Sequence, residues 1–205
     1  MTTATRLPSL ESGDRLTRAE FHRRYCARPD IKKAELVEGV VYVASPVRLS
    51  KHGAPHALMV AILVGYAARH PGLAAFADNS TVFLDPDNEV QPDVMLFRIE
   101  GGAARVTKDG YVEGAPDLVV EVAASSASYD LHDKKNAYRR AGVPEYVVWR
   151  VEDEAIDWFR LEDGAYVLAA PDKNGVYESS GFPGLRVAVP KLLAGDYAAA
   201  LAALE

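Results

Sequence analysis

The sequence predicts one domain of α/β or α+β class: helices flanking a central mixed β-sheet, with a β-meander late in the chain. Three observations carry this. Short β-rich runs, "STVFL", "DVMLF" and "DLVVEVA", cluster in the middle of the chain. Segments of helical character, "PHALMVAILVGYAARH" and "SYDLHDKKNAYRRAG", lie on either side of them. Two further strand-like runs, "EYVVWRV" and "AIDWFRL", are joined by the acidic turn Glu152-Asp153-Glu154. At 205 residues the chain is long enough for one well-packed core and short for two.

Thr17 with Glu20 three residues on reads as a capping box. It opens a short helix, "RAEFHRRYCAR", that stops before Pro29. "AELVEGVVYV" alternates around Glu38-Gly39 and predicts a hairpin. "PHALMVAILVGYAARH" is apolar nearly all round, which marks a largely buried helix ended by Pro71-Gly72. The three central strands follow. The next helix stops at Gly142, with Pro144 beyond. "AYVLA" and "LRVAV" add strands, and "YAAALAALE" closes the chain as a helix.

Hydrophobic residues make up 49% and charged residues 25%, the composition of an ordinary soluble globular protein. The longest apolar run, "ALMVAILVGYAA", is too short to span a bilayer, and "MTTATRLPSL" lacks the apolar core of a signal peptide. Cys26 is the only cysteine, which rules out an internal disulfide and a cysteine-based zinc site. A cytoplasmic location is expected. Net charge is −6, which argues against broad nucleic-acid binding. The charge is uneven. Residues 1–33 carry eight Lys/Arg against four Asp/Glu. These residues form a basic N-terminal helical extension, read either as a solvated face or as a nucleic-acid patch.

No phosphate-cradling glycine loop, dinucleotide fingerprint, nucleophile elbow or zincin motif is present. His52 and His56 have metal-ligand spacing, but Pro55 lies between them, so two ordinary histidines are the simpler reading. The carboxylates say more. Asp93 follows Pro92 and opens "DVMLF"; Asp117 follows Pro116 and opens "DLVVEV". At period two Glu121 shares a side with Asp117 and Val119, opposite Leu118, Val120 and Val122. An acid inside such a strand needs a partner. Two readings stay open: an edge strand or ion pair, or convergence of Asp93 and Glu121 on a hard divalent cation. On a helical wheel Lys134 falls within the apolar arc of Leu131, Tyr138, Ala141 and Ala137, whereas Lys135 falls at its edge. Lys134 therefore points inward, either snorkelling at the core rim or completing a site.

These residues resemble the PD-(D/E)xK nuclease superfamily. More narrowly, "QPDV", "APDLVVEV", the Asp130–Lys134 spacing and "YRRAGVPEYVV" resemble the Uma-two family of restriction-endonuclease-like proteins. The likeness runs from about Glu35 to about Val189, a core of about 35–189 within a single domain of 1–205. It implies a restriction-endonuclease-like fold and magnesium- or manganese-dependent hydrolysis of DNA phosphodiesters, by a homodimer that cuts two strands. Asp93, Glu121 and Lys134 are the implied catalytic residues. Asp93, Glu121 and the Val122 carbonyl are the implied metal ligands. Glu38, in "LVEG", matches an acidic residue of the family near the metal, and His56 a histidine the family often has at the start of its long helix. In this family the motif lysine is displaced from the strand to the following helix. Here Ala123 stands where the ordinary motif has lysine, in accord with the inward Lys134. Ala124 replaces a serine frequent in the family, and Val147 a tryptophan. The alternatives are a catalytically inactive nuclease-fold module for binding or oligomerisation, which the net charge favours, and an enzyme acting on a small phosphorylated metabolite.

Overall fold

The computed structural model describes residues 8–44, 52–77, 80–124 and 126–202. Helix α1 (Arg18–Cys26) starts at Thr17, whose hydroxyl accepts from the Glu20 amide, as the capping box requires. Strands β1 (Ala34–Val37) and β2 (Val40–Val43) form the predicted hairpin. Both Glu38 and Gly39 have positive φ, the backbone a tight two-residue hairpin turn demands. Helix α2 (Ala54–Ala67) follows, then β3 (Leu73–Ala77), β4 (Val82–Asp85), β5 (Asn88–Val90) and β6 (Val94–Arg98). Strands β7 (Arg105–Val106) and β8 (Val112–Glu113) are short; β9 (Leu118–Ala123) is the predicted "DLVVEVA" strand.

The predicted helix over 128–142 is divided. Helix α3 (Ala127–Tyr129) runs into a wider π turn at Asp130–Lys134 before α4 (Lys135–Ala141), which ends at left-handed Gly142. Strands β10 (Glu145–Arg150), β11 (Ala155–Glu162) and β12 (Ala165–Leu168) make the meander. A hairpin of β13 (Val176–Glu178) and β14 (Arg186–Ala188) leads to α5 (Val189–Leu193) and α6 (Tyr197–Ala202).

The expected single central sheet is two sheets. One has the order β12-β11-β10-β9-β6-β3, the other β2-β1-β5-β4-β8-β7. Strand β9 lies inside the first, parallel to β10 and antiparallel to β6, so it is not an edge. Its Leu118 and Val120 pack on Leu58, Met59, Ile62 and Leu63 of α2. Its Val119 and Ala123 face the other way, into a core with Val37, Val82 and Val90 of the second sheet and Ala137 and Tyr138 of α4. The chain passes between the sheets through Gln91-Pro92-Asp93, all buried.

Two expectations change here. Helix α2 is not buried all round: Ala57, Ala61 and Val64 form an exposed apolar stripe. The basic N-terminal segment, read as an extension, packs against the β1–β2 hairpin. Phe21 of α1 is fully buried against β1 and β2, and most of the basic residues are spoken for. Arg23 and Arg24 pair with Glu20, Arg28 with Asp30, and Lys33 with Asp93, which favours a neutralised face over a nucleic-acid patch. Among the described residues no helix is long and apolar enough to cross a membrane.

Candidate active site

Glu121 sits mid-strand on the α4 side of the sheet, 3% exposed. A carboxylate so placed requires partners, and two supply them. Lys134 Nζ lies 2.6 Å from Glu121 Oε1, and the Tyr138 hydroxyl donates to the same oxygen at 2.8 Å. The lysine is itself 2% exposed. Its ammonium also donates to Glu35 Oε1 at 3.0 Å and lies 4.0 Å from Asp130 Oδ1. Burial works against that charge, but Glu121, Glu35 and Asp130 outweigh it and hold Lys134 well above the usual lysine range. Burial, with Asp93, Asp130 and Glu35 adding to it and Lys134 opposing it, pushes the Glu121 carboxyl up to about 8. Several acids crowd one ammonium. The proton this group of residues retains near neutrality is therefore on a carboxyl, and the lysine stays charged.

Asp93 stands at the passage from β5 to β6. Its Oδ2 accepts from the Val122 amide at 2.8 Å and from His52 Nε2 at 3.1 Å. Its Oδ1 accepts from Lys33 Nζ at 3.1 Å, and its main-chain oxygen from His56 Nε2 at 2.8 Å. Burial opposes ionisation, yet His52, Lys33 and Lys134 hold this carboxyl far below the usual carboxylate range. The carbonyls of Asp117 and Ala123 bond to the β10 side. By strand alternation the Val122 carbonyl shares the Asp93 edge with the Val122 amide.

The side chains of Glu35, Asp93, Glu121 and Asp130 thus surround two lysines. Carboxylate oxygens are the kind of donor a hard divalent cation takes. Among the described residues no three metal-competent side chains converge on one point. Lys33 and Lys134 stand at the oxygens such an ion would use.

A family model described as "Putative restriction endonuclease", Uma2, matches residues 18–190. The chain belongs to the Uma2 family. A solved structure, "Crystal structure of a putative nuclease belonging to DUF820 from Anabaena variabilis ATCC 29413", superposes with a TM-score of 0.64. It is 14% identical, covering 84% of this chain and 96% of that one, and so speaks for the fold. No curated protein matches. The restriction-endonuclease-like fold expected from the sequence is therefore present in this Uma2 chain.

The structure brings Asp93, Glu121 and Lys134 into one neighbourhood, with His56 behind Asp93. It does not bring Glu38 there. That carboxylate lies in the β1–β2 turn and pairs with Arg140 at 2.7 Å. The acid that reaches Lys134 is Glu35, three residues earlier. Its signal was visible: Glu35 lies between Ala34 and Leu36 inside an apolar strand, the same pattern that marks Glu121. Lys33, Asp130 and Tyr138 also join. His52, read as an ordinary histidine, bonds to the Asp93 carboxylate. Asp117 instead accepts from the Arg98 amide at 2.8 Å and pairs with its guanidinium.

Proposed function

We propose that this Uma2 chain is a metal-dependent endonuclease that hydrolyses DNA phosphodiesters. The observation that carries the reading is the fully buried Lys134–Glu121 pair beside Asp93, at the centre of a nuclease-like sheet. Asp93, Glu121 and the Val122 carbonyl would hold Mg²⁺ or Mn²⁺, with Glu35 in the place expected for Glu38. When bound, such an ion supplies Lewis acidity and neutralises charge on the phosphate. Lys134, charged and fixed from two sides, orients the attacking water or a phosphate oxygen. Tyr138 holds the Glu121 carboxylate in place. His52 and His56 keep Asp93 aimed at Val122. Lys33 gives up Asp93 and turns to a phosphate of the substrate. Cutting both strands of a duplex would use two copies of the chain.

Nicking of supercoiled plasmid with Mg²⁺ or Mn²⁺ tests this. Asp93→Ala, Glu121→Gln and Lys134→Met each should abolish it. Equal cleavage by wild type and Asp93→Ala would assign the activity to a contaminant.

One observation favours a second reading, a non-catalytic binding module: Lys33 stands 3.1 Å from Asp93 Oδ1 and Lys134 2.6 Å from Glu121 Oε1, so that lysines neutralise these acids. A thermal-shift titration separates the two. Manganese raising the melting temperature of wild type, but not of Glu121→Ala, supports a metal site. No shift in either supports the module.

A further inference from the structure

A second group of reactive side chains lies on α1. His22 and Cys26 are four residues apart and share one helix face. Cys26 Sγ stands 3.5 Å from His22 Nε2, and His22 Nδ1 stands 2.9 Å from Glu89 Oε1 on β5. The imidazole therefore lies between a thiol and a carboxylate. An acceptor on Nδ1 keeps the proton there and leaves Nε2 ready to take another. The three groups form a chain rather than converging on a point, an arrangement for proton transfer rather than for metal ligation.

The surroundings fix this chain. Phe83 and Tyr111 each meet the imidazole edge-on, at 5.1 Å between centroids. Burial, with nearby Cys26, Glu89 and Asp109 adding to it, holds the Tyr111 phenol above the usual tyrosine range. The imidazole thus sits against two aromatic rings and beside the sulfur.

Glu89 gives an independent observation. It is 1% exposed, and its buried Oε2 has no hydrogen-bond partner. An orphaned buried carboxylate oxygen is costly. Burial pushes the Glu89 carboxyl up, against the pull of His22 and of Arg18. Arg18, which also lies over Phe83, and Asp109, near Tyr111, carry charge close to this group. Glu89 carries this burden beside His22 Nδ1, and Cys26 adjoins the same imidazole. Cys26 ends α1, where the helix dipole disfavours an anion.

We infer that Cys26 is a hydroperoxide-reactive thiol, activated by His22 and Glu89. Cys26 passes its proton to His22 Nε2. The thiolate attacks the terminal oxygen of a hydroperoxide; the S–O bond forms as the O–O bond breaks. The imidazolium proton goes to the departing alkoxide or hydroxide. Sulfur loses two electrons and the peroxide gains them, so that Cys–SH and ROOH become Cys–SOH and ROH. A leaving group that basic needs a proton, and His22 stands beside the sulfur. Cys26 is exposed and open to a soluble peroxide. It is the only cysteine of the chain, so a thiol from another molecule resolves the sulfenic acid, giving a mixed disulfide and water.

The test treats the full chain with hydrogen peroxide, traps sulfenic acid with a cyclic 1,3-diketone and reads intact mass. Native wild type should label at least about tenfold faster than the same chain unfolded in urea. His22→Gln and Glu89→Gln should each bring the native rate down to the unfolded one, and Cys26→Ser should give no adduct. Native labelling no faster than unfolded overturns the inference and needs no variant. So does a folded His22→Gln that labels as fast as wild type.

Discussion

Replacing Lys134 with methionine keeps the length of the side chain and removes its charge. The ammonium stands within 4.0 Å of Glu121, Glu35 and Asp130, all buried. Breaking a buried ion pair from one side leaves uncompensated charge and costs about 3–5 kcal/mol. One carboxyl escapes part of this by taking up a proton, so the lower end, about 3 kcal/mol, is expected. For a chain of this size that corresponds to a fall in melting temperature of roughly 6–12 °C. Calorimetry in EDTA reads the effect. The double variant Lys134→Met with Glu121→Gln should recover at least half of the loss, because the group left unpaired is gone. If Lys134→Met in EDTA melts within about a degree of wild type, the lysine does not neutralise the acids and the electrostatic account of the site fails.

Glu121→Gln should change how metal-free stability depends on pH. The Glu121 carboxyl rises from 4.5 to about 8 in the fold, so between those values the native chain holds a proton that the unfolded chain has released. Its contribution is full below about 4.5 and is lost as pH rises through about 8; urea unfolding of the glutamine variant should show a flatter decline across that window. Glu35→Gln should abolish plasmid nicking, whereas Glu38→Ala should leave it intact and change stability by under about 1 kcal/mol, since the Glu38–Arg140 pair is at the surface. Glu145→Ala should destabilise by about 3 kcal/mol with nicking per folded molecule unchanged. That carboxylate accepts from Trp158 Nε1 at 2.6 Å, and from the Ser179 hydroxyl and the Gly181 amide at 2.7 Å each, well away from Lys134. Urea melts and the nicking assay read both.

Local patterns in the sequence carried Glu121 and Lys134, because each depends on one periodicity; Asp93 was read from its place after Pro92 at the head of a strand. Strand alternation sets the side Glu121 faces, and the helical wheel sets the direction of Lys134. The wheel succeeds even though Asp130–Lys134 is a π turn, which has no sequence signature of its own. Pairings between distant segments were not legible. Leu36 meets Glu89 across fifty residues, and the two-residue strands β7 and β8 exist only through their neighbours. Hence the second sheet was missed, and with it Glu35. One residue's step along a hairpin changes which face an acid meets, and Glu38 falls in the turn itself. The likeness to the family pointed to Glu38 in that hairpin, whereas the acid of the hairpin that reaches Lys134 is Glu35.

Lys134 touches Glu35 on one sheet and Glu121 on the other, so a single ammonium clasps the two layers together. The acids acquire their spacing only after the layers dock. For a protein proposed to cut DNA this is a safeguard: a half-folded or misaligned copy has no assembled cluster and is inert, rather than an indiscriminate cutter loose among the cell's own chromosomes.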